Sequence, residues 1–148
     1  KGIAEMGWTA TTIPEEYGGL GMSSLELVVI AEELGRACAP VPFSSTVYLA
    51  AEAIMALGTE AQKEAWLPKI AEGSAIGCFA MGEAGGAVTP DQMSTSIADG
   101  VLNGTKVPVA DGGIADVAIV VCATDKGDGA TLALVDLSQD CIEKTMCR

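Results

Sequence analysis

From Ser23 onward the apolar positions recur at helical spacing. Leu27, Ile30, Ala31 and Leu34 share one face, with Glu26, Glu32, Glu33 and Arg36 off it. Ser23 and Glu26 have the spacing of a capping box, which satisfies free backbone N–H groups at a helix start. In "AEELGRACAPVPFSS" (31–45) the pattern stops. Gly35 permits left-handed geometry, and Pro40 and Pro42 disfavour helix in the residues before them, so the stretch predicts that the helix stops there. A second helix is expected from Ser44-Ser45-Thr46, with Val47, Ala50, Ile54 and Leu57 inward and Gly58 closing it. Thr59 and Gln62 form another capping box. Pro68 predicts a break or a fresh helical start, with "PKIAEG" running on to Gly73.

Beyond Gly73 the period changes. "AIGCFAM" (75–81) reads as a strand followed by the Gly-rich loop "GEAGGAVTP". "STSIA" and "VLNGTKVPV" flank Asp99-Gly100, a hairpin signal, and "ADVAIVVCAT" and "ATLALVDLS" flank "DKGDG", a second one. Short antiparallel strands with tight turns predict a barrel or sandwich. The acidic residues change at the same place: all ten up to Gly73 are Glu, whereas eight Asp and two Glu follow it. Glu favours helix and Asp favours turns and caps, so the shift marks the passage from helices to strands. The expectation is an α+β chain, with helices in residues 1–73 and an antiparallel β-barrel-like domain in 74–148.

Composition narrows the chemistry. The chain has 148 residues, 49% hydrophobic, with a formal charge of −12 and no His. A nucleic-acid partner is excluded because no basic surface can be assembled, and anionic lipid is disfavoured likewise. No apolar run approaches the roughly 20 residues of a membrane-spanning helix, and "KGIAEMGW" lacks the apolar region of a signal peptide. Five cysteines without framework spacing read as reduced thiols of a cytoplasmic protein. Without His, Ser-His and Cys-His nucleophilic sites are excluded, together with most catalytic zinc sites. Carboxylates or a cofactor must carry any catalysis.

Single motifs are weak. "GEAGGA" (82–87) follows a strand but lacks the Lys-Ser/Thr of a phosphate loop and the spacing of a dinucleotide fingerprint, so a plain turn is the better generic reading. Glu15-Glu16 and Glu32-Glu33 are adjacent, and adjacent helical residues do not face each other; they read as solvated. Cys141 and Cys147 lack the further ligands of a metal site, and none is expected. Trp8 and Trp66 read as core or half-buried anchors.

The order of motifs says more. "MGW…IPEEYGGLGMSSLELVVIAEELGR", "GTEAQKEAWLPKIAEGSAIGCFAMGEAGG" and "LNGTKVPVADGGIADVAIVVCATD" resemble, in order and spacing, the N-terminal helical domain and part of the middle β domain of flavin-dependent acyl-CoA dehydrogenases. The resemblance covers essentially the whole chain. It implies an oxidoreductase of fatty acid metabolism that removes two hydrogens from the α and β carbons of an acyl-CoA thioester. A carboxylate base takes the proton, the flavin of FAD takes the hydride, and electrons leave to an electron-transfer flavoprotein. It also implies that the helices of residues 1–73 run antiparallel, and a homo- or hetero-oligomer. The family's base and one wall of its FAD site lie on a C-terminal four-helix bundle, and the resemblance implies a chain truncated before that bundle. No catalytic residue is therefore expected here, and the chain alone is expected to be inactive.

The same resemblance places the flavin wall at Phe79, Met81, Gly82, Pro108 and Ala110. Two departures from the family pattern bear on it. Gly82, Glu83 and Ala84 stand where the family generally has Thr-Glu-Pro, and Pro108 and Ala110 stand where it often has an aromatic and a hydroxyl residue. They raise an alternative, a non-catalytic structural subunit of a heteromeric acyl-CoA dehydrogenase.

Overall fold

The computed structural model describes residues 2–86, 89, 92–124 and 129–146. They form two compact units, Lys1–Gly77 and Cys78–Arg148.

The first unit is helical. After α1 (Gly2–Glu5) and two short 3-10 turns, α2 spans Ser24–Arg36. A π-helical segment, Ser44–Ala51, runs directly into α3 (Glu52–Leu57), and α4 covers Glu60–Ala71. Both capping boxes are present as the sequence predicts. Ser23 N–H donates to Glu26 Oε2 at 2.9 Å, Thr59 N–H donates to Gln62 Oε1 at 2.9 Å, and both reciprocal bonds form. The predicted face of α2 packs inward, with Leu27 in a cluster with Phe43 and Val47 that Ile30, Leu34, Trp8 and Tyr48 border. Trp66 is buried and carries the Lys69 ammonium 4.8 Å from its ring centre.

Three local expectations are corrected, at Gly35, Pro68 and Leu57, while Gly58 closes its helix as expected. The reversal after α2 is left-handed at Cys38 (φ 45°), not at Gly35, which stays helical. Cys38 N–H donates to Gly35 O and Ala39 N–H to Leu34 O, both at 3.0 Å. That is a Schellman motif with cysteine in the place glycine usually takes. Pro68 neither breaks nor restarts a helix, because α4 continues through it. Burial of Trp66, Leu67, Ile70 and Ala71 around it outweighs the one backbone bond that proline forfeits. Gly58 closes α3 in extended backbone (φ −69°, ψ 149°), and its small size is needed because a Cβ there would lie 2.5 Å from Ile54 O. Leu57 is 71% exposed instead of inward. Val47, Ala50 and Ile54 are buried as the spacing predicts, on both sides of the junction between the π-helical segment and α3, and of the four only Leu57, the last residue of α3, departs.

Cysteine at a left-handed position carries steric strain that glycine does not. Cys38→Gly is accordingly expected to stabilise the chain, by about 0.5–1 kcal/mol after the greater unfolded-state freedom of glycine is subtracted. Urea denaturation at constant m-value measures it, and a lower midpoint than the native chain would contradict the left-handed assignment.

Among the described residues the second unit is built on a five-stranded sheet, whose first strand begins at the last residue of the first unit: β1 (Gly77–Ala80), β2 (Ser96–Ala98), β3 (Val101–Asn103), β4 (Val117–Thr124) and β5 (Ala130–Asp136). The Asp99-Gly100 hairpin forms with Ala98 opposite Val101. Both turn residues have positive φ (50° and 78°), the type I′ combination that matches strand twist. β4 and β5 pair antiparallel from Val117 with Asp136 to Ala123 with Ala130. The turn residues 125–128 of that second hairpin, Ala87 of the Gly-rich loop and Cys147 lie outside the described residues. One ladder runs the other way: β2 pairs with β4 in parallel, Ser96 opposite Ala123 and Ile97 opposite Thr124. The sheet is therefore mixed, since the long 104–116 connection lets β4 enter beside β2 instead of folding back on β3. β4 is the hub, bonded to β1, β2 and β5, and its residues Val117–Val120 and Cys122 are buried.

Candidate functional site

β1 delivers the chain to Met81 and Gly82 at its C-terminal end. Gly82 O accepts a hydrogen bond from Val107 N–H at 2.9 Å. A Cβ on Gly82 would stand 3.1 Å from Val107 O and 3.6 Å from Pro108 Cδ. Gly82 and Pro108, 26 residues apart in the numbering, are thus side by side, held by main chain. Phe79 is half-buried in β1, Met81 is 46% exposed, and Pro108 is exposed. Ala110 is exposed on the same loop, in the turn where Gly112 N–H reaches Val109 O at 3.3 Å.

Beneath this ledge is a feature that sequence reasoning missed. Glu83 is buried, and its carboxylate accepts four hydrogen bonds: from Lys106 Nζ (2.8 Å), Ser94 Oγ (2.6 Å), Ser94 N–H (2.8 Å) and Thr95 N–H (3.0 Å). Lys106 Nζ also donates to Met81 O at 3.1 Å. The Lys106 ammonium, with help from Ser94, holds the Glu83 carboxyl well below the usual carboxylate range. A glutamate in a Gly-rich loop reads from sequence as solvated. The available signal was that Lys106 is the only cation between Gly73 and residue 125.

The two buried thiols, Cys78 and Cys122, are unsuited to nucleophilic work. Burial pushes Cys78 up to about 11 and raises Cys122 as well, whereas a reactive cysteine needs thiolate character and access. Among the described residues no group of His, Cys, Asp and Glu could hold a metal ion. No helix among them is long and apolar enough to cross a membrane.

Backbone runs along Met81–Gly82 and Val107–Pro108, and three of the flanking side chains, Met81, Pro108 and Ala110, are exposed. Side-chain donors are missing: Gly82 has none, Pro108 offers neither N–H nor aromatic face, and Ala110 is apolar. The residues present fit a ring contacted through peptide groups, without hydroxyl donors.

Comparison with known proteins agrees with the fold. Residues 1–74 match the family model described as "Acyl-CoA dehydrogenase, N-terminal domain". An acryloyl-CoA reductase (NADH) of Anaerotignum propionicum is 36% identical over 136 residues, covering 87% of this chain and 34% of that protein. The mitochondrial short-chain specific acyl-CoA dehydrogenase of Homo sapiens is 34% identical over 134 residues, 85% of this chain and 32% of the enzyme. A glutaryl-CoA dehydrogenase from Mycobacterium smegmatis, solved in complex with FADH2, superposes with a TM-score of 0.82 at 33% identity, over 95% of this chain and 37% of that one. The chain belongs to the acyl-CoA dehydrogenase family. It spans about a third of the length of these relatives.

Proposed function

We propose that this chain forms the helical N-terminal portion and part of the β portion of an FAD-dependent acyl-CoA dehydrogenase, acting on the α and β carbons of an acyl-CoA thioester. The observation that carries the reading is the main-chain pairing of Gly82 with Val107, which sets the proposed flavin-wall residues Gly82 and Pro108 beside each other. Phe79, Met81 and Ala110 complete the wall. When bound, FAD would supply the acceptor for the hydride from the β carbon. The chain's own part is to offer peptide groups to the ring and to shield one side of it from water. The α-proton base lies elsewhere in the parent protein, as do the opposite wall and the face that passes electrons to an electron-transfer flavoprotein. Leu25, Val28 and Val29 expose a second apolar stripe on α2, which supports an oligomeric parent.

FAD titration followed by fluorescence tests the reading. Each net hydrogen bond contributes only about 0.5–1.5 kcal/mol, so the 148-residue chain is expected to bind FAD weakly and leave acyl-CoA unchanged. Tight stoichiometric quenching would contradict this. In a full-length parent, Gly82→Thr with Pro108→Trp should strengthen flavin retention by restoring a hydroxyl and a stacking surface. No gain would mean that the wall is placed elsewhere. The exposed Pro108 and bare Gly82 favour one second reading, a structural subunit of a heteromeric dehydrogenase. A parent whose bound flavin is bleached by acyl-CoA without a partner subunit would exclude that.

A further inference from the structure

The Lys106–Glu83 pair is buried more deeply than stability alone explains. Their side chains are 7% and 6% exposed, and a buried ion pair is by itself weak grounds for stability because desolvation offsets most of the attraction. Its position is informative. Lys106 Nζ grips Met81 O at 3.1 Å and Glu83 Oε1 at 2.8 Å, on either side of Gly82. The next carbonyl, Gly82 O, is held by Val107 N–H at 2.9 Å. Glu83 is anchored in turn by Ser94 and Thr95 at the start of β2. The Met81–Gly82 peptide is therefore fixed from one side. In a trans peptide the C=O and the following N–H point in opposite directions within one plane. With Met81 O turned toward the buried ammonium, Gly82 N–H is turned away from it.

We propose that Lys106, held by Glu83, is a positioning residue that orients the Met81–Gly82 peptide so that Gly82 N–H is presented to the flavin ring. The inference rests on the reading of residues 79–82 and 108–110 as the flavin wall. Where no side-chain hydroxyl is available, a backbone donor must be held in place for its hydrogen bond to form without an ordering cost. An ammonium suits this task, having three donors on a compact head, two of which are used here.

The test is made on the 148-residue chain labelled with nitrogen-15, native and as Lys106→Met, with FAD added to millimolar concentration. In the native chain FAD should shift the Gly82 amide resonance. In Lys106→Met that shift should be lost, and hydrogen exchange at Val107, whose N–H is bonded to Gly82 O, should rise about tenfold while β4 and β5 amides stay within about twofold. Lys106→Arg, which keeps the charge and a donor for Met81 O, should recover the FAD-induced shift, which a purely structural staple has no reason to control. If Lys106→Met does not fold, Glu83→Gln takes its place, with the same signs expected. A native response to FAD at Gly82 that survives unchanged in the variant overturns the positioning role and leaves the flavin-wall reading intact. No response at Gly82 in the native chain overturns both.

Discussion

Alanine at Gly19 is expected to destabilise the helical unit by more than about 3 kcal/mol, beyond the ordinary range for overpacking. A Cβ at that position would lie 1.8 Å from Ile13 O and 2.3 Å from Ile13 C. Neither atom can retreat, since Ile13 is fully buried and its carbonyl accepts Gly21 N–H at 2.9 Å. Gly19 N–H is itself bonded to Pro14 O at 3.1 Å, closing the turn around the Glu15–Tyr17 segment. Tyr17 ties that turn to α4 through a 2.7 Å bond from its hydroxyl to Glu60, a bond that pushes the phenol up to about 12. The two glycines of "PEEYGG" are thus needed for different reasons: Gly18 for its left-handed φ of 79°, Gly19 for want of space. Gly85→Ala is the control, because nothing lies within 4 Å of a Cβ there. Urea midpoints compare the two, and a Gly19→Ala midpoint equal to that of the control would show that the turn does not close as described.

Sequence was informative wherever one local interaction decides the outcome. The two capping boxes and the Asp99-Gly100 turn each need only residues within a few positions of each other, and each formed. The inward face of α2 was legible too, because its period holds over the whole helix. Failures occurred where distant packing overrides local preference. Pro68 remains helical because its neighbours are buried. Cys38 accepts the left-handed position that Gly35, three residues earlier, is not placed to take. Leu57, the last residue of α3, is exposed although Ile54 one turn earlier is buried, so the inward face ends before the helix does. In the second unit, strand direction depends on how a long connection returns, so the parallel β2–β4 ladder could not be read from hairpin signals. The candidate site divides in the same way. Resemblance supplied the wall positions, but Lys106 and Glu83 meet across 23 residues of sequence and became visible only in three dimensions.

Removing the charge of Glu83 is expected to loosen the second unit at neutral pH and to matter progressively less in acid. In the folded chain the Lys106 ammonium and the Ser94 donors hold this carboxyl below its ordinary value of 4.5. A carboxyl so depressed contributes stability that is fully present above its unfolded value and is lost as pH falls through the folded one. Glu83→Gln keeps the shape but weakens acceptance from Lys106, Ser94 and Thr95 at once. Amide protection at Ser94, Thr95 and Val107 should therefore fall roughly tenfold near neutrality, since hydrogen bonds to charged groups are the stronger kind. Melting temperatures of the native chain and the variant should be furthest apart above about pH 5 and converge on acidification below 4.5. Convergence follows because the native carboxylate must then be ionised at a cost that the unfolded chain avoids. A difference that stays constant down to strong acid would mean that ionisation of Glu83 is not what holds the 81–86 loop against β2, and equal melting temperatures at neutral pH would mean that its shape alone suffices.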